Sequence, residues 1–307
     1  MKDVYTLNDL KNWDEIEQDP GRPIRLGVIG DPVAHSLSPQ IQNAAIEHYQ
    51  MNLHYVRFQI SPDQLGRALK QMAALDFVGA NLTAPHKTEA QSFLDQLDAD
   101  ARSIGAVNTI KLNDGSLVGF NTDGAGFSRA VREEFSVDLR DLRILLLGAG
   151  GVARAIARQC GRENCERLVI ANRTLKTAEA LASGLSDFFT GPRVLGPVAR
   201  LQVIPWEENA FRFQVANVDL IVNATPLGLN HNDHSPIASR LLAPHLMVLD
   251  TIYAERRTPL VSAAIEAGAR GANGLSMLLH QGALAFEIWF NRAAPIDVMR
   301  RAVTREN

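Results

Sequence analysis

The chain has 307 residues, 46% of them apolar and 21% charged, with a net charge of −3. At about 150 residues per domain this is room for two domains. The balance excludes disordered, collagen-like and coiled-coil chains, and it provides no basic field for nucleic acid.

Residues 1–23 read as a polar extension, with one or two amphipathic turns over 7–16 and no assigned role. Their acidic, polar start lacks the apolar core of a secretory signal. Residues 24–30 read as a buried strand closed by the turn signal Asp31-Pro32. Ser38-Pro39 fits a helix cap followed by proline in the first turn, so a helix is predicted to about Gln50. Residues 54–60 are rich in β-branched and aromatic side chains and predict a strand. Ser61-Pro62 opens a helix to about Leu75, a short strand covers 78–82, and Pro85 opens a further helix. Residues 106–112 and 116–120, around Asn113-Asp114-Gly115, predict a hairpin.

The character changes near Asn121. A helix over 123–134 leads to a strand over 143–147, then a helix to about Gly161, a strand over 168–171 and a helix from Thr174. Further strands are predicted at 201–204, 219–222 and 247–250, with a Gly/Pro-rich loop over 190–197. Two helices, 276–290 and 296–303, close the chain. Such alternation argues for a parallel sheet covered by helices. No uncharged run approaches the ~18 apolar residues of a membrane span. Cys160 and Cys165 have no partners at metal spacing and read as reduced thiols of a cytoplasmic protein.

The most specific local motif follows the strand at 143–147. Gly148, Gly150 and Ala153 match the glycine pattern that turns a strand into a nucleotide-binding helix. Gly148 permits the turn, Gly150 lets backbone approach a pyrophosphate, and the helix start offers free N–H groups. The next strand ends in Asn172-Arg173-Thr174. NAD-binding folds place an acid there for the ribose 2′-hydroxyl; Arg173 and Lys176 suit a 2′-phosphate instead, hence NADP.

Polar clusters recur at the ends of segments in the first half: Ser36 and Ser38, Asn81-Leu-Thr83-Ala-Pro85-His-Lys87, Gly105-Ala-Val-Asn108-Thr109, and Asn121-Thr-Asp123-Gly124. In open α/β sheets ligands bind beyond the carboxyl ends of strands. Each cluster also has a purely structural reading: Ser38 as helix cap, Asn108 and Asn121 as turn formers, Asp123 as a cap.

With Gly148-Ala-Gly-Gly151, Asn172-Arg-Thr174, Asn223-Ala-Thr-Pro-Leu-Gly228 and Asn273-Gly-Leu-Ser-Met-Leu-Leu-His-Gln281, these stretches occur in one order from residue 24 to about 290. In that set and order the chain resembles the shikimate dehydrogenases. The resemblance implies an α/β enzyme of two domains that reduces 3-dehydroshikimate to shikimate with NADPH. A substrate-binding α/β domain would cover 1–122, completed by helices over 256–307, and a Rossmann-type nucleotide domain with a parallel sheet would cover 123–255. Lys87 and Asp123 match the family's catalytic pair. Ser36 and Ser38 would bind the substrate carboxylate, Asn81, Thr83, Asn108 and Gln281 its hydroxyls, with Tyr253 lining the site. Gly148, Ala149, Gly150, Gly151, Val152, Asn172, Arg173, Thr174 and Lys176 would hold NADP, with Thr251 and Gly274 near the nicotinamide. The expected partner is a small-molecule substrate, not nucleic acid or membrane; a homodimer stays open.

The residue types suit ketone reduction. A lysine ammonium stabilises charge developing on oxygen and donates the proton, while a neighbouring carboxylate orients it. Ser276 stands where the family usually has glycine, and Thr177 where a second basic residue often falls. His231 and His234 have no evident third ligand, so no metal is expected. Two rivals share the motifs: a quinate/shikimate dehydrogenase with relaxed choice, and a ligand-sensing homologue without catalysis. Retention of both Lys87 and Asp123 argues against the second.

Overall fold

The computed structural model describes residues 2–16, 22–113, 115–190, 199–230, 232–253 and 256–304. The chain divides into two units, Met1–Thr122 with Leu279–Asn307, and Asp123–Leu278.

In the first unit the N-terminal segment is part of the core, not a polar arm. Helices α1 (Leu7–Lys11) and α2 (Trp13–Ile16) bury Leu7, Leu10 and Trp13. Tyr5 and Trp13 pack against Phe58, and Trp13 also against Phe77, with ring centroids 5.5–6.0 Å apart. Strand β1 (Ile24–Gly30) is followed by α3 (Ser38–His48), β2 (His54–Gln59), α4 (Leu65–Ala74) and β3 (Gly79–Leu82). The chain continues through β4 (Gln96–Leu97), α5 (Ala99–Ile104), β5 (Thr109–Asn113) and β6 (Ser116–Phe120). The sheet order is β2-β1-β3-β5-β6-β4. β1 runs parallel to β2 and β3, and the β5–β6 pair is antiparallel. α4 turns Leu65, Ala68, Leu69 and Met72 inward, the spacing of one helical face. The free edge of β2 is partly covered by Tyr5, whose N–H donates to the Arg57 carbonyl and whose carbonyl accepts from Gln59, both at 2.8 Å.

Of two start signals, one lies a residue off within a correctly placed helix and the other opens no helix. The cap of α3 is Leu37, so Ser38 is its first residue and its hydroxyl does no capping. No α-helix begins at Pro85; a turn leads to a 3-10 segment over Glu89–Phe93. There the buried His86 ring bonds the Ile60 carbonyl at 2.8 Å, a tertiary contact that outweighs the local proline signal.

The second unit opens with α6 (Asp123–Phe135), β7 (Arg143–Leu147), α7 (Gly151–Arg162), β8 (Arg167–Ala171) and α8 (Leu175–Ser183). β9 (Leu201–Ile204), α9 (Glu208–Val215), β10 (Leu220–Asn223), β11 (Met247–Asp250), α10 (Pro259–Glu266), β12 (Arg270–Ala272) and α11 (Leu275–Phe290) follow. Its sheet is wholly parallel, in the order β12-β11-β10-β7-β8-β9. Ile144 and Leu146 pack on one face and Leu145 and Leu147 on the other, which is why β7 is apolar at every position after Arg143. The order reverses between β7 and β10, creating the crevice where such sheets bind ligands. α10, β12 and the start of α11 belong to this unit, so the boundary expected near 256 falls between Leu278 and Leu279, inside α11. The last helix, α12 (Ile296–Thr304), belongs to the first unit. The loop expected over 190–197 lies, from 191 on, outside the described residues, as do Asp114 of the hairpin turn and His231.

Candidate active site

In the first unit the polar residues singled out above gather beyond the ends of β1, β3 and β5. Ser36 and Ser38 are both nearly buried, and the Ser38 N–H donates to the Ser36 hydroxyl at 3.3 Å. The Ser36 carbonyl accepts from Nε and Nη2 of Arg57 at 3.0 and 2.7 Å. Asn81, on β3, accepts on Oδ1 from the Tyr55 hydroxyl at 2.8 Å. Its amide then donates to the Asn108 carbonyl and the Thr109 hydroxyl. Asn108 is 1% exposed and acts as a hub: Nδ2 donates to Thr122 Oγ1 at 2.9 Å and Gln281 Oε1 at 3.2 Å, while Oδ1 accepts from the Thr122 N–H at 2.8 Å. Both amide orientations are thereby fixed in advance, which is what a selective hydroxyl-binding site requires. Lys87 is half-buried, and its carbonyl accepts from the Val107 N–H at 2.7 Å, beside the Asn108 hub. Thr83 is half-buried too, and Gly30 makes room for it: a Cβ on Gly30 would lie 2.4 Å from the Thr83 methyl. Asn81, Asn108 and Gln281 thus form one bonded group, with Lys87 tied to it through backbone.

Asp123 begins the second unit as the first residue of α6 and is buried. Gly148 follows β7 with φ of +111°, and a Cβ there would lie 2.8 Å from the Ala224 carbonyl oxygen. Only glycine fits this turn. Gly150 caps α7 and faces open space, with nothing within 4 Å of a Cβ placed on it. The first intrahelical bond is from the Arg154 N–H to the Gly150 carbonyl. The N–H groups of Gly151 and Val152 therefore project toward that space, a geometry suited to a pyrophosphate. Ala149 is buried beneath the turn. After β8, the Asn172 amide donates to the Thr174 carbonyl and shapes the turn that exposes Arg173, Thr174 and Lys176. Among the described residues neither Arg173 nor Lys176 has an ion-pair partner, and no carboxylate stands at this strand end, so the cradle fits NADP.

Beyond β11 the chain turns through Thr251 to Tyr253, and this turn hangs on Asp250. The Asp250 carboxylate accepts from Asn223 Nδ2, the Ile252 N–H and the Thr258 hydroxyl at 2.9, 3.1 and 2.7 Å. Burial outweighs these bonds and pushes its pKa up to about 6. Gly274 presses on the same turn, and a Cβ on it would come within 2.2 Å of the Thr251 carbonyl oxygen. Tyr253 is half-buried. Ser276 bonds the Glu134 carboxylate, joining α11 to α6, so the serine has a structural partner where glycine would have none. The residues that hold the others — Tyr55, Arg57, Thr122 and the Asn223–Asp250–Thr258 set — were given no site role from sequence. Two of them carried a signal, Thr122 as the middle of Asn121-Thr-Asp123 and Asn223 as the head of Asn223-Ala-Thr-Pro-Leu-Gly228. Asp233, between His231 and His234, spends its carboxylate on the N–H groups of Gly228 and Asn230.

Three family models match the chain. They are the shikimate dehydrogenase substrate binding domain over residues 28–110, shikimate/quinate 5-dehydrogenase over 129–191, and the shikimate 5′-dehydrogenase C-terminal domain over 274–304. A relative from Methanopyrus kandleri, shikimate dehydrogenase (NADP(+)), is 42% identical over 280 residues, covering 91% of this chain and 94% of its own. The crystal structure of shikimate dehydrogenase from Aquifex aeolicus superposes with a TM-score of 0.82 at 35% identity, covering 94% of this chain and 99% of that one. That of Thermus thermophilus, in complex with NADP(H) and shikimate, gives 0.79 at 33% identity, covering 91% and 98%. With this identity sustained over nine-tenths of its length, the chain belongs to the shikimate dehydrogenase family.

Proposed function

We propose that the protein interconverts 3-dehydroshikimate and shikimate with NADP(H), and that the residues described above carry the reaction. The Ser36 and Ser38 hydroxyls take the substrate carboxylate. Asn81, Thr83, Asn108 and Gln281 hold the ring hydroxyls, and Tyr253 lines the site. Lys87 stabilises charge developing on the carbonyl oxygen and delivers the proton to it; in the other direction, neutral Lys87 removes that proton. Asp123 orients the lysine and bonds the same hydroxyl. Gly148, whose own N–H is spent on the Ala171 carbonyl, sets the turn, and the N–H groups of Gly150, Gly151 and Val152 receive the pyrophosphate, over Ala149. Asn172, Arg173, Thr174 and Lys176 receive the 2′-phosphate end, and Thr251 and Gly274 shape the nicotinamide end. NADPH supplies the hydride. The two free thiols, Cys160 and Cys165, suit the reducing cytoplasm.

The observation that carries this reading is the Asn108 hub, which presents three amides and a lysine-bearing turn to one place. Such a site selects a small polyhydroxylated ring. The test is a grid of initial rates with shikimate and quinate, each with NADP and NAD, for the wild type and Lys87→Ala. Shikimate with NADP should give the highest kcat/KM. Quinate adds a hydroxyl beside the carboxylate, which a pocket shaped for a planar ring carbon accepts ~10²-fold less well. Lys87→Ala should lower kcat by ~10²–10⁴. Equal kcat/KM for the two acids would assign a dual-substrate enzyme, and near-normal turnover by Lys87→Ala would remove it from the mechanism.

A further inference from the structure

We propose that Arg57 is a positioning residue for recognition of the substrate carboxylate: its guanidinium holds the Ser36 carbonyl and so sets the loop that presents the two serine hydroxyls. The proposal rests on the reading of Ser36 and Ser38 as the carboxylate-binding residues.

The contact is a fork. Nε and Nη2 of Arg57 both donate to the one carbonyl oxygen, at 3.0 and 2.7 Å, and Nη2 also reaches Gln40 Oε1 at 3.1 Å. Two charged donors on one acceptor restrain the carbonyl of the peptide that follows Ser36 more firmly than a single donor does. That peptide leads to Ser38, whose N–H donates to the Ser36 hydroxyl oxygen. With its oxygen engaged as acceptor, the Ser36 hydroxyl keeps its hydrogen for an outside acceptor. An anion is the outside acceptor that such a hydrogen serves best.

Charge points the same way. Among the described residues the side-chain partners of Arg57 are the Ser36 carbonyl and the Gln40 amide oxygen, both neutral. Its positive charge is therefore not cancelled by a bonded carboxylate. It stands half-buried behind two serines that offer hydroxyl groups and no charge of their own.

Strand β2 is built to hold this position. Arg57 and Tyr55 are two residues apart and so share a face. Tyr55 fixes Asn81, and Arg57 fixes Ser36, so one strand face backs two parts of the site. On the outer edge of β2, Tyr5 bonds the Arg57 carbonyl and the Gln59 N–H, so the N-terminal segment braces the strand at the arginine itself. A cavity of about 280 Å³ open to the surface is lined by Arg57 together with Gln40, Asn43, His54, Lys2 and Asp3 among others.

The test compares Arg57→Gln, Arg57→Lys and Arg57→Ala with the wild type. Shikimate affinity is measured by calorimetry without cofactor, alongside KM for shikimate, KM for NADP, kcat and the melting temperature. In Arg57→Gln the Kd and KM for shikimate should rise ~10–100-fold, the loss of a charge-assisted contact. KM for NADP and the melting temperature should stay near wild type, and kcat should fall far less than the affinity. Arg57→Lys, which keeps charge but not the fork, should recover part of the affinity. Ethylguanidine added to Arg57→Ala should restore affinity by entering through the cavity. Unchanged shikimate affinity in Arg57→Gln, or parallel losses in shikimate affinity, NADP KM and melting temperature, overturns the proposal. Ser36→Ala and Ser38→Ala separate the two levels. If they weaken shikimate binding while Arg57→Gln does not, only the role of Arg57 fails. If they too leave it unchanged, the carboxylate assignment fails and the proposal falls with it.

Discussion

Replacing Asp250 with asparagine should change how stability depends on pH. The carboxylate is 0% exposed at the end of β11 and bonded by three neutral donors, Asn223, Ile252 and Thr258. Burial raises its pKa from the ordinary 3.8 to about 6 despite those bonds, each of which lowers it. The folded protein therefore binds this proton more tightly than the unfolded chain. The stabilisation is fully present below pH 3.8 and is lost as pH rises through about 6. Converting that difference gives about 3 kcal/mol between acid and neutral pH. Asp250→Asn keeps the acceptor for Asn223 and Ile252, and its amide donates to a Thr258 hydroxyl that can turn to accept, so the turn through Tyr253 survives. Urea melts of both proteins from pH 4 to pH 8 isolate the effect, because other titrating groups cancel in the difference. Relative to the variant, the wild type should lose about 2.4 kcal/mol across that window, because at pH 4 the unfolded carboxyl is already partly ionised, and most of the loss falls before pH 7. A difference that stays flat with pH would refute the assignment of a raised pKa to Asp250.

Arg173→Ala should raise KM for NADP ~10–150-fold and leave KM for NAD nearly unchanged, since each charge-assisted bond to a 2′-phosphate is worth roughly 1.5–3 kcal/mol. Steady-state kinetics with both cofactors decides it, and equal harm to both would end the phosphate-clamp reading. Trp13→Ala should destabilise the first unit by about 3–5 kcal/mol, as for a buried indole in a core, although it lies in what the sequence presents as an extension. A urea midpoint unchanged from wild type would return residues 1–16 to the status of an appendage.

The second unit was legible because its signals are local. β7, β9 and β11 fall where apolar runs place them, and β7, buried on both faces beyond Arg143, is the plainest of the three. The first glycine after β7, Gly148, is dictated by a left-handed turn and a carbonyl 2.8 Å away. In the first unit the same kind of evidence misled. Ser38 and Pro85 carry start signals, yet a neighbouring leucine caps one helix and a buried histidine forestalls the other. The N-terminal segment hides its core residues among polar ones, and its apolar partners, Phe58 and Phe77, lie far along the chain. β4, α5, α9, α10 and β12 are short elements that periodicity does not register. The division at the candidate site follows from chemistry. A side chain assigned to substrate must be of one type, so Asn81, Lys87 and Asn108 stand in recognisable runs. A side chain that holds such a residue need only reach it with a donor. Tyr55 and Arg57 look like ordinary members of a strand until the register of β2 against β1 sets one behind Asn81 and the other behind Ser36. Supporting contacts of this kind are properties of the fold rather than of the motif, and they decide how rigidly the motif's side chains are held.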